Sequence, residues 1–263
     1  MAAVIVLIVF LVNGSATKSA KTTTTTTSTS TSTTTSTFPT PTTQPLTAAA
    51  VSPTCPPTSG SKKRVVWFTK APPACIPATS VWEATFKTSL GDIVVKMPAA
   101  ASYKAVNNFV YLALYKYYDG TFFHRIIKGF IVQGGDPTGT GSGGAVANGK
   151  SGLQKYGYPG YSFTGNTPPA SCSTKPTEAG CYQADDLVMA NRATASSDGS
   201  QFFFILPGGQ GALSPLYTLF GKVVTGASVL DEIGSYGAPR TSEQGTPTLK
   251  IYLLSVTVKQ VSG

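Results

Sequence analysis

Apolar and polar residues alternate along the second part of the chain at the spacings of strands and helices, beginning at about residue 81. Residues 81–88 and 92–97 alternate with a period of two around a Ser-Leu-Gly-Asp turn, which predicts a β-hairpin. Residues 101–117 carry apolar side chains at helical spacing and end before Asp119-Gly120, which predicts a helix. The remaining predicted elements are a short helix at 228–233 and strands at 187–191, 201–206, 217–224 and 249–259. The pattern indicates a mainly β domain with two helices.

The N-terminus begins with an unbroken apolar run at residues 2–12. This run is too short to span a bilayer, and it has the length of the hydrophobic region of a signal peptide. Gly14-Ser15-Ala16 supplies the small residues that precede a cleavage site. Because no positively charged residue precedes the run, two interpretations of residues 1–17 stay open, a signal peptide and a truncated membrane anchor.

Residues 18–64 have a different composition, rich in Thr, Ser and Pro and poor in large apolar side chains. Such a segment cannot bury enough apolar surface to offset the entropy lost on ordering its backbone, so we expect a disordered stalk. Thr/Ser/Pro composition is typical of O-glycosylated stalks, and it is equally compatible with a plain flexible linker.

Charge is sparse in this chain of 263 residues, and 41% of the residues are hydrophobic, which is enough for a sizeable core. All 11 acidic residues lie from Glu83 onward, and the formal net charge is +9. Outside Lys62-Lys63-Arg64 the cationic residues are scattered singly and are not interleaved with aromatic residues. The pattern therefore argues against nucleic-acid binding despite the basic balance. Nothing in the sequence indicates oligomerisation, and we expect a monomer.

Four cysteines allow three pairings. Cys172 and Cys181 flank a polar, turn-forming segment, so a disulfide between them would close a surface loop. Cys55 and Cys75 would then pair by default and tie the base of the stalk to the domain. A metal site is disfavoured because the chain has no Cys-x-x-Cys and a single histidine, His124. An even cysteine count behind a signal-like segment predicts an extracytoplasmic location, either secreted or anchored at the cell surface.

Candidate chemistry concentrates in residues 122–144, which combine two short β-rich runs with a glycine-rich exit. On a regular strand Phe123, Arg125 and Ile127 would share one face, which would set a permanent cation among apolar groups. Gln133 lies in the second run among apolar neighbours. Considered alone, this stretch favours a surface arginine whose stem covers an apolar sheet, and only the rest of the chain argues against that interpretation.

Three motifs in this region and beyond it resemble those of the cyclophilin peptidyl-prolyl isomerases. They are Phe-His-Arg-Ile-Ile-x-Gly-Phe-x-x-Gln-Gly-Gly-Asp at 123–136, Met-Ala-Asn at 189–191 with Gly-Ser-Gln-Phe-Phe at 199–203, and Phe-Gly-Lys-Val at 220–223. The resemblance covers about residues 82–261 within a predicted isomerase domain at 65–263. It implies a closed eight-stranded antiparallel barrel capped by two α-helices. It also implies isomerisation of X-Pro bonds in proline-containing peptides and unfolded proteins, which assists folding.

The resemblance also assigns roles to ten residues. Arg125 matches the catalytic arginine, and Gln133 matches the amide that orients it. Tyr217 stands where many eukaryotic members have histidine. The positions that match the substrate-binding residues are Phe130, Ile131, Gln133, Ala190, Asn191, Gln201, Phe203, Leu213 and Tyr217. Without the motifs, the apolar members of this set would be interpreted as barrel core.

Other chemistries find little support in the sequence. His124 is predicted to face away from Arg125 and to have a packing role, and Asp185-Asp186 would point to opposite faces of a strand. Residues 144–151 match the Gly-x4-Gly-Lys-Ser pattern of phosphate-binding loops, but the flanking glycines and proline are wrong for the strand and helix that such a loop needs. We therefore expect no cofactor and no metal. A stalk-borne module that only binds proline-containing peptides remains the alternative to an enzyme.

Overall fold

The structure is a computed structural model that describes residues 51–142, 160–192, 195–242 and 244–262. In these residues nine antiparallel strands and two α-helices make up the fold. The predicted leader, most of the predicted stalk and the 144–151 match therefore lie outside the described residues. No helix in the described part of the chain is long and apolar enough to cross a membrane. The strands are β1 (Val81–Thr88), β2 (Gly91–Pro98), β3 (Thr121–Phe122), β4 (Arg125–Ile127), β5 (Ile131–Gly134), β6 (Asp186–Met189), β7 (Phe202–Ile205), β8 (Leu219–Thr225) and β9 (Tyr252–Ser262), and the helices are α1 (Tyr103–Leu114) and α2 (Ala227–Ser235).

The strands form one sheet in the order β3-β9-β1-β2-β8-β6-β7-β5-β4. The predicted hairpin is the β1–β2 pair, with Thr88 opposite Gly91 at the turn. One face of the sheet curls around a single apolar cluster to which β1, β2, β5 to β9, α1 and α2 all contribute. The mainly β prediction with two helices is confirmed, but the sheet has nine strands rather than eight. Within the described residues its two terminal strands, β3 and β4, are not paired with each other.

The extra strand arises where one continuous strand was expected through residues 122–127. Phe123 and Ile126 both belong to the main core, and residues three apart cannot share a face of a regular strand. The chain therefore leaves the ladder after β3 and re-enters it at β4. The simple alternation predicted there is wrong, because the chain must turn to keep both apolar side chains inside.

Aromatic rings fill the centre of the core. Phe109 of α1 stacks on Tyr118 with ring centroids 4.9 Å apart and meets Phe202 edge-on at 5.7 Å. Phe86 of β1 meets Phe204 edge-on at 5.2 Å. These rings join α1 to β1 and β7, so the strand that carries Phe203 is held against the helix.

A segment that we call the strap, residues 51–76, packs on the outer side of α1. Phe68 is fully buried, and its ring lies 5.0 Å from that of Tyr111. The Arg64 guanidinium donates to the Tyr117 carbonyl at 3.0 Å. The Asn107 side chain accepts a hydrogen bond from the backbone N–H of Cys75 at 2.8 Å. Residues 51–64 were assigned to the predicted stalk, and in the structure Arg64 and Cys55 join this segment to the strap.

Both disulfides join the cysteines that were expected to pair. Cys55 is bonded to Cys75 across 20 residues, with Cα atoms 5.3 Å apart. Cys172 is bonded to Cys181 across 9 residues, with Cα atoms 5.4 Å apart. The first fastens the two ends of the strap to each other, and the second closes a surface loop.

Replacing Cys55 and Cys75 together by Ser should lower the free energy of unfolding by about 3 kcal/mol, since the unfolded chain regains the entropy of an open loop. For a domain of this size the melting temperature should fall by about 6–12 °C. The matched control is the Cys172→Ser/Cys181→Ser variant, whose shorter loop should cost about 2.5 kcal/mol. Calorimetry that gives an unchanged melting temperature for the first variant would contradict the structural role of the strap.

Candidate active site

Three adjacent strands set Arg125, Gln133 and Phe203 side by side. Arg125 of β4 lies directly opposite Gln133 of β5, which in turn lies opposite Phe203 of β7. Residues opposite each other in an antiparallel pair point to the same face of the sheet. The strand register therefore brings a cation, an amide and an aromatic ring together on one surface.

Hydrogen bonds between side chains fix the direction of the guanidinium. Arg125 Nη1 donates to Gln133 Oε1 at 3.4 Å, and Gln133 Nε2 donates to Gln201 Oε1 at 3.0 Å. Gln201 Nε2 then donates to the Gly141 carbonyl at 2.9 Å. In this row of hydrogen bonds the amide nitrogen of Gln133 donates to Gln201, so its oxygen is the atom that faces Arg125.

A buried carboxylate holds the loop in which this row of hydrogen bonds ends. Asp136 is fully buried, and its two carboxylate oxygens accept the backbone N–H groups of Thr138, Thr140 and Gly141 at 2.8–3.1 Å. The Gly141 carbonyl that receives Gln201 is therefore fixed by the same loop. The polar row of Arg125, Gln133 and Gln201 is anchored at its far end.

Burial lowers the pKa of Arg125 from its usual value, and the nearby Tyr217 phenol partly offsets this effect. An arginine guanidinium nevertheless keeps its charge in proteins. The site therefore offers a permanent hydrogen-bond donor that is half withdrawn from water.

Nine of the ten residues that were matched to the family's site line one cavity of about 210 Å³. Phe203 and Tyr217 form one wall, where their rings meet edge-on at 5.5 Å. Gln201, the tenth residue, lines a neighbouring cavity of about 310 Å³ that shares Gln133, Ala190 and Asn191 with the first. The residues of the smaller cavity are Arg125, Phe130, Ile131, Gln133, Ala190, Asn191, Phe203, Leu213 and Tyr217.

The apolar wall of this cavity is separate from the main core. Ile131 and Phe203 belong to a second apolar cluster with Tyr182, Val188 and Ile205. Phe130, Ala190, Leu213 and Tyr217 are partly buried and pack on that cluster. The interpretation of these residues as ordinary barrel core is therefore wrong, because the strands point their main-core side chains the other way.

Asn191 lies at the mouth of both cavities and is held from one side. Its Nδ2 donates to the Leu216 carbonyl at 2.8 Å and to Asp198 Oδ1 at 3.2 Å. Its Oδ1 has no hydrogen-bond partner among the described residues. This oxygen is buried, so the two bonds made by Nδ2 are what hold the side chain in place.

Two of these site residues were not found from the sequence, Asp198 and Tyr182. Asp198 is fully buried and accepts the Thr218 hydroxyl at 2.6 Å as well as the Asn191 amide. Tyr182 follows directly after Cys181 and lies outside the three motifs. Tyr182 acts through a contact 35 residues away in the sequence. The only sequence signal for Asp198 is an acidic residue directly before the motif at 199–203.

The remaining titratable candidates have other surroundings. Burial lowers the pKa of His124, and Asp136 opposes that shift. His124 lies beside Arg125 at a third cavity of about 730 Å³, so the two do not face fully away from each other. Asp186 pairs with Lys222 at 3.1 Å and does not line the cavity that contains Arg125. Across the described ranges, no group of three or more His, Cys, Asp or Glu residues could hold a metal ion.

Comparison with known proteins identifies the family. The model of the family described as "Cyclophilin type peptidyl-prolyl cis-trans isomerase/CLD" matches residues 84–258. The chain is 39% identical over 164 residues to peptidyl-prolyl cis-trans isomerase-like 1 of Homo sapiens, covering 61% of this chain and 86% of that protein. It is 38% identical over 165 residues to peptidyl-prolyl cis-trans isomerase CYP18-2 of Arabidopsis thaliana, covering 63% of this chain and 88% of that protein.

A solved structure agrees with these matches. The crystal structure of a cyclophilin type peptidyl-prolyl cis-trans isomerase from Cryptosporidium parvum superposes with a TM-score of 0.50 and 27% sequence identity. The superposition covers 68% of this chain and 98% of that one. The family model spans more than half of the chain, and the fold is the one found in that structure. The chain therefore belongs to the cyclophilin-type peptidyl-prolyl cis-trans isomerases.

Proposed function

We propose that this isomerase acts on X-Pro bonds of exported or cell-surface proteins and that Arg125 is its catalytic residue. The observation that carries the proposal is the guanidinium of Arg125, held by Gln133 at the rim of an apolar cavity of about 210 Å³. A cavity of this kind accommodates a prolyl ring, with the cation beside the amide that precedes it.

The reaction requires no proton transfer. Its barrier is the partial double-bond character of the amide, roughly 20 kcal/mol, and the uncatalysed relaxation takes about 10 to 100 s. Shortening it to milliseconds needs a factor near 10⁵, or about 7 kcal/mol of preferential binding of the transition state. A small number of well-placed contacts can supply that amount.

Arg125 can stabilise the twisted amide directly. As the C–N bond rotates, conjugation is lost and the prolyl nitrogen gains a lone pair that can accept a hydrogen bond. The guanidinium, aimed by Gln133 Oε1, donates to that nitrogen in the transition state and not to the planar ground state. The apolar surroundings of Phe130 and Phe203 strengthen the contact because they exclude water.

The rest of the site would hold the two sides of the peptide. Phe130, Phe203 and Leu213 pack around the prolyl ring, so the ring stays still while the preceding residue rotates. The backbone of Ala190 and Asn191, which line the same cavity, would lie along the peptide. Gln201 borders the next cavity, where the residues before proline would lie.

The proposed location is extracytoplasmic, secreted or tethered at the cell surface through the N-terminus. Two disulfides in the described residues support it, because disulfides persist mainly in oxidising compartments. The apolar run at residues 2–12 is the second support. The proposed clients are proline-containing peptides and unfolded proteins. We propose that the protein acts as a monomer and does not bind nucleic acid.

Replacing Arg125 by Ala should lower kcat/KM for an Ala-Pro reporter peptide by about 10² to 10³, because one charge-assisted donor to the transition state is lost. The dissociation constant of the peptide should change by less than about threefold, since the ground-state amide does not engage that donor. The measurement is cis-to-trans relaxation of the reporter together with a binding titration of the same peptide.

The matched control for this change is Lys128→Ala, which removes an exposed cation three positions along the chain and should leave both quantities unchanged. Peptide binding by the wild-type protein without any acceleration would contradict the proposed function and would favour a proline-binding module. Acceleration that survives in Arg125→Ala would contradict the role of this residue alone.

Asp198, which holds Asn191, should make stability depend on pH. Burial raises the pKa of its carboxyl to about 6, although the hydrogen bonds from Thr218 and Asn191 act in the opposite direction. An aspartate in an unfolded chain has a pKa of about 3.9, so the folded state binds this proton more tightly. The resulting stabilisation is complete below about pH 4 and is lost as the pH rises through 6.

The Asp198→Asn variant isolates this effect because it cannot titrate. Between pH 4 and pH 7 the free energy of unfolding of the wild type should fall relative to the variant by about 2 kcal/mol. Urea unfolding of both proteins at several pH values measures the difference, and other titrating groups cancel in the comparison. A difference that stays constant with pH would show that the pKa of Asp198 is not raised.

A further inference from the structure

One phenol satisfies both backbone groups of Tyr217, a residue of the cavity wall. Tyr182 Oη donates to the Tyr217 carbonyl at 2.7 Å, and it accepts the Tyr217 backbone N–H at 3.0 Å. The neighbouring backbone is paired elsewhere, with the Thr218 carbonyl accepting from Met189 and Leu219 opposite Val188 in the ladder. The position of Tyr217 therefore depends on a side chain that is 35 residues away in sequence.

Tyr182 itself is firmly placed. Its side chain is 2% exposed and packs with Ile131 and Phe203 in the apolar cluster below the cavity. The preceding residue, Cys181, is bonded to Cys172, and the following Gln183 donates its backbone N–H to Asp186 at 2.7 Å. Burial raises the pKa of the Tyr182 phenol, so the hydroxyl keeps the proton that it donates.

The contact has a direct route to the substrate cavity. The ring of Tyr217 meets Phe203 edge-on at 5.5 Å and lines the cavity that contains Arg125. A side-chain ring moves with its own backbone. If the backbone of Tyr217 were released, the ring would shift against Phe203, and the width of the cavity would change.

We propose that Tyr182 is a positioning residue of the substrate cavity, which it shapes by fixing Tyr217 from the side opposite to the substrate. The disulfide-closed loop at 172–181 ends directly before Tyr182 and holds it in place, which gives this loop a role in substrate binding. The inference rests on the proposed function only in assigning the cavity to the prolyl ring.

The Tyr182→Phe variant removes the hydroxyl and keeps the ring that packs in the cluster. The KM for an Ala-Pro reporter peptide should rise about fivefold, the effect of losing roughly one net hydrogen bond from the support of the binding wall. The kcat should stay within about twofold, because the wall holds the prolyl ring equally in the ground state and the transition state. The dissociation constant of the same peptide should rise in parallel with KM.

A matched control separates this role from a purely structural one. Tyr103→Phe on α1 also removes a phenol that donates to a backbone carbonyl, that of Ile76 at 3.0 Å, but on the side of the strap. Both variants should lose stability, and only Tyr182→Phe should change KM. All assays are made well below the melting temperature of the weaker variant.

Coupling to Tyr217 provides the decisive comparison. In a Tyr217→Ala background the ring is already absent, so adding Tyr182→Phe should raise KM by no more than about 1.5-fold. An unchanged KM in the Tyr182→Phe single variant would overturn the proposal, and so would a full fivefold rise in the Tyr217→Ala background. If the wild-type protein does not accelerate isomerisation, the proposed function fails, but the role of Tyr182 is still tested. The peptide dissociation constants of the same variants then take the place of KM.

Discussion

A cation that is partly withdrawn from water must have polar contacts to hold it, and the site depends on how this fold provides them for Arg125. Desolvation of a guanidinium is costly, so the side chain cannot lie against an apolar cavity without an acceptor. Gln133 Oε1 is that acceptor, and Gln201 and the Gly141 carbonyl extend the row to a loop fixed by Asp136. Gln133 makes the contact with the guanidinium, and the rest of the row holds Gln133 in place.

The same requirement explains why the site lies on a sheet. The register of β4, β5 and β7 sets Arg125, Gln133 and Phe203 in one row across three strands. Their neighbours Ile126, Val132 and Phe204 point to the opposite face and form part of the main core. A shift of one residue in β4 would exchange its two faces and would bury the arginine in the core. Packing of the core therefore specifies the position of Arg125.

Much of this arrangement could be predicted from the sequence. The hairpin of β1 and β2 and both helices follow from periodicity alone, because their apolar side chains contact one core at regular spacing. The resemblance to the family singled out ten residues, and nine of them line one cavity. These features are local, or they are encoded by motifs that are characteristic of the family.

The features that were missed depend on contacts between distant parts of the chain. The break between β3 and β4 exists because Phe123 and Ile126 must both enter the core, which local alternation does not reveal. Residues 51–64 have the composition of a linker, yet the Cys55–Cys75 bond and the Arg64 contact with Tyr117 hold them on α1. Tyr182 reaches Tyr217 only in the folded protein.

If Arg125 donates to the prolyl nitrogen as the amide twists, a crystal structure with a bound Ala-Pro peptide should show its guanidinium beside that nitrogen. We predict that the prolyl ring lies between Phe130 and Phe203, with a guanidinium nitrogen of Arg125 about 3–3.5 Å from the prolyl nitrogen, placed to donate once the amide twists. Gln133 should retain its contact with the guanidinium. A peptide bound outside this cavity, or an Arg125 side chain turned away from the prolyl nitrogen, would contradict the account.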